Sequence, residues 1–163
     1  MSKQLVLADY SNQDFLSAAI DASSIATKKI AVVTSQWNTE ITSALKDGAI
    51  SKLRDSGIHT ENITICDVPG SYELIYGASK YANLGYDAVI CLGCVIQGET
   101  KHFDFICHAV ANGIANVSIK HNIPVAFGVL TTDNLEQARE RVGGKHGHKG
   151  EEAALTVLQL LLN

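Results

Sequence analysis

Ala88-Val89-Ile90-Cys91-Leu92 is apolar at every position, as a strand covered on both faces should be. Working outward from it, the chain repeats one unit from Lys29 on: a short apolar run rich in β-branched residues, then a longer stretch of helical period. Upstream, Ile30-Ala31-Val32-Val33-Thr34 reads as a buried strand. Asn38 or Thr39 can cap the helix that follows, which sets Ile41, Ala44, Leu45, Ala49 and Leu53 on one face and stops at Gly57. Ile63–Val68 is a second strand closed by Pro69-Gly70, and a helix from about Tyr72 to Leu84 carries Leu74, Ile75, Ala78 and Tyr81. Downstream, a helix from about Lys101 to Lys120 leads to Pro124 and the strand Val125–Leu130. Two more helices are expected, over residues 134–142 and from near Gly150 through Leu161. Repeated βα units lie on a parallel sheet, so the expected fold is α/β with a four-stranded parallel sheet.

The first 28 residues do not follow this pattern. They read as an N-terminal arm that is disordered alone or becomes ordered on a neighbour, where it is expected to add a strand to the next subunit's sheet; this leaves residues 29–163 as a single domain. The length of 163 residues suits one core. The charged share, 18%, is below the roughly 25% of soluble domains. Either uncharged polar residues replace charges, or part of the surface faces another subunit.

Composition excludes several function classes. A pI near 5.8 and a formal charge of −4, with no Lys/Arg run, do not suit a nucleic-acid binder, which needs a clustered basic face. No stretch approaches the ~20 apolar residues of a spanning helix, and Leu5-Val6-Leu7-Ala8 before Asp9 is too short for a signal-peptide core. A cytoplasmic protein without membrane partners is expected. Cys66, Cys91, Cys94 and Cys107 all sit in apolar runs, the setting of reduced, buried thiols.

In an open parallel sheet, ligands bind beyond the carboxyl ends of the strands. That rule selects four loops: Ser35–Asn38, Pro69–Glu73, Gly93–His102 and Thr131–Asn134. In the third, free N–H groups near Glu99 and Thr100 could cradle an anion where a helix begins. His102 follows two residues later and is the natural proton carrier; a surface helix-cap role is the alternative. Trp37, the only tryptophan, reads first as a cover for the end of the core, with stacking on a planar heterocycle as the alternative. Glu73 suits either the positive end of a helix or a polyol. The segment 139–150 concentrates positive charge and reads first as a solvated loop, with a phosphate clamp as the alternative. His146 and His148 lack nearby residues to complete a ligand set, so no metal is expected. Cys91-x-x-Cys94 has redox spacing but ends a strand, and both read as core thiols.

Five ordered stretches together resemble the lumazine synthase family: Trp37-Asn38, Val68–Leu74, Leu92–Asp104, Phe127–Thr132, and Glu136–Arg141 leading to Lys149-Gly150. The resemblance runs from about Lys29 to Leu162. It implies a three-layer α/β/α, flavodoxin-like domain. It also implies condensation of 5-amino-6-(D-ribitylamino)uracil with 3,4-dihydroxy-2-butanone 4-phosphate to 6,7-dimethyl-8-ribityllumazine, with release of phosphate and water and no cofactor.

Carried over residue by residue, Trp37 would stack the pyrimidine, with Asn38 beside it, and Ser71, Tyr72 and Glu73 would line the uracil and ribityl site. Cys94, Val95 and Ile96 would offer mainly backbone groups. Glu99, Thr100 and Arg141 would hold the phosphate, and His102 would move protons. Phe127, Arg141 and Lys149 would come from the adjacent subunit. Gln97 stands where many members carry a basic residue, and Trp37 where phenylalanine is common. The family builds pentamers, in many members a 60-subunit shell, and riboflavin synthase is a further partner the resemblance suggests. The rival readings on the same fold are a non-catalytic flavin or lumazine carrier and an inactive shell protein.

Overall fold

Four parallel strands, β1 (Ile30–Ser35), β2 (Ile63–Val68), β3 (Ala88–Ile96) and β4 (Val125–Thr132), form a sheet of order β2-β1-β3-β4 in the computed structural model, which describes residues 22–163. Strand β1 is buried along its whole length, as its run of Ile, Ala and Val requires at the centre of a sheet. It pairs with β2 from Ile30↔Ile63 to Ser35↔Val68, and with β3 from Ile30↔Ala88 to Thr34↔Leu92. Strand β3 pairs with β4 from Val89↔Val125 to Ile96↔Thr132. Beyond Leu92, therefore, β3 outruns its pairing with β1 and, among the described residues, keeps a strand partner on one side only.

Helices cover both faces, giving the three layers of a flavodoxin-like α/β fold. Period-two alternation divides the sheet's side chains between two cores. Ile30, Val32, Ile90 and Leu92 pack under α2 (Thr39–Asp55) and α6 (Lys149–Leu161). Ala31, Val33, Val89 and Cys91 pack under α3 (Leu74–Asn83) and α4 (His102–His121). The α2/α6 contact is close enough that a Cβ on Gly150 would fall on the Leu45 carbonyl, and one on Gly48 would fall on the His148 ring. That ring caps α6: its Nδ1 accepts from the Glu151 N–H at 3.4 Å.

Three sequence expectations change. The helix expected over residues 134–142 is a single short helix, α5 (Leu135–Arg139), followed by an antiparallel hairpin of β5 (Val142–Gly144) and β6 (Gly147–His148). Gly143 and Gly147 take φ of 109° and 75°, a turn geometry that a helical period cannot continue. Cys91 and Cys94 are buried, but Cys66 and Cys107 are half-buried, because β2 is an edge strand and Cys107 sits on the flank of α4. Finally, Ala22–Ile25 form α1, and Ile25 packs into the core at 1% exposure, so the packed body begins before Lys29. The rest of the expected arm, residues 1–21, lies outside the described residues. No helix among the described residues is long and apolar enough to cross a membrane.

Candidate active site

The order β2-β1-β3-β4 reverses direction between β1 and β3, and open α/β sheets bind ligands beyond such a switch point. The connection leaving β1 there is pinned on three sides. Asn38 adopts a left-handed conformation, φ 58° and ψ 49°, and its carbonyl accepts the first helical N–H groups of α2, from Ile41 and Thr42. Its side chain does not cap the helix; Nδ2 instead donates to the Cys94 carbonyl at 2.9 Å. Thr39 Oγ1 donates to the Gln36 carbonyl at 2.6 Å, and the Gln36 N–H donates to the Val68 carbonyl at 2.9 Å. Asn38 thus occupies the cap position, as the sequence allows, but caps through its carbonyl and leaves its side chain free to bridge to β3. Trp37, held between these ties, is 72% exposed, so it does not cover the core and instead walls a cavity.

After β2, Pro69-Gly70 turns the chain back. A Cβ on Gly70 would lie 2.9 Å from Glu73 Oε2 and 3.7 Å from Trp37 Cδ1, so glycine lets those two side chains approach. Ser71 is buried against Gly93, where a Cβ would come within 2.7 Å of its Oγ. Tyr72 stays half exposed.

Strand β3 supplies the third wall. The apolar run Ala88–Leu92 predicts a strand that ends at Leu92 with Gly93–Ile96 in a loop, whereas these residues continue the strand against β4. Beyond the last β1–β3 pair, Thr34↔Leu92, the β1-facing backbone edge of Gly93–Ile96 has no strand partner among the described residues, and Asn38 takes one of its carbonyls. The remaining edge is a short, directed row of donors and acceptors of the kind that an extended or planar ligand can continue. Exposed residues Gln97–Lys101 then lead to His102, the first residue of α4, whose N–H donates to Thr100 Oγ1 at 3.3 Å.

These walls enclose about 580 Å³, lined by Trp37, Asn38, Gly70, Ser71, Tyr72, Glu73, Cys94, Val95, Ile96, His102 and Ile106. That volume is within the ~300–1,000 Å³ of small-molecule sites. Gly70 belongs to one of the four loops the strand-end rule selects, whereas Ile106 lies outside them all. Ile106 was readable as one helical turn beyond His102, on the same face. Burial alone pushes the Cys94 thiol up to about 11 and Cys91 up to about 12, so this wall offers no thiolate nucleophile near neutrality.

Glu99 and Thr100 lie on the exposed turn before His102 and do not line the cavity. Phe127, Arg141 and Lys149 are not brought to it either. Phe127, 45% exposed, shares a separate space of about 230 Å³ with Lys149, Glu152 and Thr156. The positive segment is mostly neutralised within the chain: Arg139 by Glu40, Lys145 by Glu140, and Lys149 by Glu152. Arg141 makes no ion pair among the described residues, and its Nη1 donates to the Gln137 carbonyl at 2.6 Å.

A flavodoxin-like sheet with a cavity of this size at its switch point defines the class: an α/β protein with a candidate small-molecule site beyond its strand ends. The profile of the 6,7-dimethyl-8-ribityllumazine synthase family matches residues 27–163. Relatives named 6,7-dimethyl-8-ribityllumazine synthase include one from Cytophaga hutchinsonii, 56% identical over 84% of this chain and 87% of its own. Another, from Bacteroides fragilis, is 46% identical over 82% and 94%, and one from Christiangramia forsetii is 48% identical over 81% and 80%. The chain belongs to the 6,7-dimethyl-8-ribityllumazine synthase family. It is a transferase of riboflavin biosynthesis, and its reaction is the condensation that forms the ribityllumazine.

Proposed function

We propose that the cavity binds 5-amino-6-(D-ribitylamino)uracil and that the second substrate is 3,4-dihydroxy-2-butanone 4-phosphate. The observation that carries this reading is the open β3 edge beside Trp37 and His102 in one cavity. A uracil ring has a donor–acceptor edge that such a backbone row can match, and an indole offers its other face a stacking surface. Ser71, Tyr72 and Glu73 supply polar groups for the ribityl chain. Glu99 and Thr100, on the turn before α4, offer main-chain N–H groups to the phosphate, with Arg141 as its charged partner.

Two proton transfers follow from the chemistry. Imine formation between the 5-amino group and the ketone expels a hydroxyl that must be protonated, and loss of phosphate requires a proton to be removed from carbon. His102, at the cavity wall, is the group placed to do both. Holding the two substrates in register contributes much of the rate, and no covalent enzyme intermediate is needed.

Arg141, Phe127 and Lys149 lie away from the cavity of their own chain, which supports a site completed by the adjacent subunit of a homo-oligomer. We take that oligomer to be a pentamer, with the short hairpin over residues 142–148 favouring further assembly into a 60-subunit shell. Riboflavin synthase, which consumes the product, is the proposed protein partner. Four free cysteines accord with a cytoplasmic location. The test is complementation. Co-assembled H102A and R141A chains, supplied with both substrates, should form fluorescent lumazine, because about a quarter of randomly mixed interfaces keep both native halves. Each variant alone should be weak. Mixed oligomers no better than the single variants would overturn the shared site.

A further inference from the structure

Helix α5 has five residues, too few to hold itself together, yet the carbonyl that steadies the Arg141 guanidinium, Gln137 O, lies on it. Its own sequence fixes one end. Asn134 Oδ1 accepts from the Gln137 N–H at 2.9 Å, the Asp133 N–H donates to Gln137 Oε1 at 2.9 Å, and Gln137 Nε2 donates to Asp133 Oδ2 at 3.2 Å. The other end is tied across the molecule. Arg139 Nε and Nη2 donate to Glu40 Oε1 and Oε2 at 2.8 and 3.2 Å, a two-pronged bond between residues 99 positions apart. Glu40 stands in the first turn of α2, two residues after Asn38 and three after Trp37.

We propose that Glu40 and Arg139 are positioning residues for Arg141. Their fork locks α5 to the start of α2, and through the Gln137 carbonyl it sets where the Arg141 guanidinium points. Both side chains are exposed, but a guanidinium–carboxylate fork constrains direction as well as distance, which a single-point pair would not. The same bond joins the loop that carries Trp37 and Asn38 to the helix whose following turn carries Arg141. One chain thus holds in fixed relation the pieces that, in the oligomer, serve two neighbouring sites. This inference rests on Arg141 being the phosphate ligand.

The variants are E40R, R139E, the exchanged pair E40R/R139E, and R141A, each examined as the intact oligomer. Each single reversal should raise KM for 3,4-dihydroxy-2-butanone 4-phosphate about fivefold or more, while KM for the ribitylaminouracil stays within about twofold. The exchanged pair should return most of the lost affinity, which a purely local surface effect of either residue would not do. Unchanged KM in both single variants, or no recovery in the exchanged pair with its oligomer intact, would overturn the positioning role. R141A with a native KM for the phosphate substrate would instead remove the reading of Arg141 on which it rests.

Discussion

His102 and Cys94 share one cavity wall but differ in what they can do. Cys94, buried and pushed up to about 11, stays protonated near neutrality. The matching prediction is that iodoacetamide at neutral pH leaves Cys91 and Cys94 unmodified in the native protein, and modifies all four cysteines after denaturation. Peptide mass spectrometry reads this directly, and rapid native labelling of Cys94 would contradict its burial. His102 carries the chemistry on the proposed reading. H102A should lower turnover on the order of 100-fold, the lower end of what a positioned proton carrier contributes, and leave residual activity because the substrates are still held together. Product formation followed by lumazine fluorescence checks it, and a native rate would remove His102 from the mechanism. Trp37 shows where residue-level reading runs out. A lone tryptophan after a buried strand fits core cover as well as it fits stacking. Only the ties made by Gln36, Asn38 and Thr39, two of them to residues distant in sequence, turn it outward.

Elements with a strong period were legible: all four sheet strands and the helices that cover them follow from runs of Val, Ile and Leu and their spacing. Two boundaries were not. The continuation of β3 through Gly93 to Ile96 is invisible locally, since a glycine after an apolar run reads as a turn, and what keeps it extended is pairing with β4. The hairpin of residues 142–148 depends on glycines at positive φ, which a helical reading passes over. Close packing of α2 on α6 is likewise a tertiary fact behind an ordinary-looking Gly150. G150A should destabilise the fold by about 1–3 kcal/mol or more, since the added methyl meets the Leu45 backbone and not a yielding side chain. Urea denaturation measures it, and an unchanged midpoint would mean that α6 can shift without cost.

At the scale of the whole molecule, 18% charged residues and exposed Tyr76, Phe105 and Ile119 on the α3/α4 side agree with a subunit whose flanks meet other subunits. Deleting the residues before Lys28 tests how far the N-terminal segment contributes. It should weaken assembly, seen as a smaller or concentration-dependent particle by light scattering, but it also removes the buried Ile25. Ile25→Ala in the full-length chain separates the two effects, because it disturbs the core alone. A truncated chain that assembles like the full-length protein would dispose of the arm.

The unpaired edge of β3 has one more consequence. Short of proline, which would remove an N–H and disturb the strand, no point mutation exchanges a main-chain group, so on the proposed reading a compound that copies the uracil edge would press on a feature the gene cannot easily edit. Resistance would have to arise around that edge, at Trp37, at Asn38 or in the phosphate ligands, where each change also costs the natural substrates.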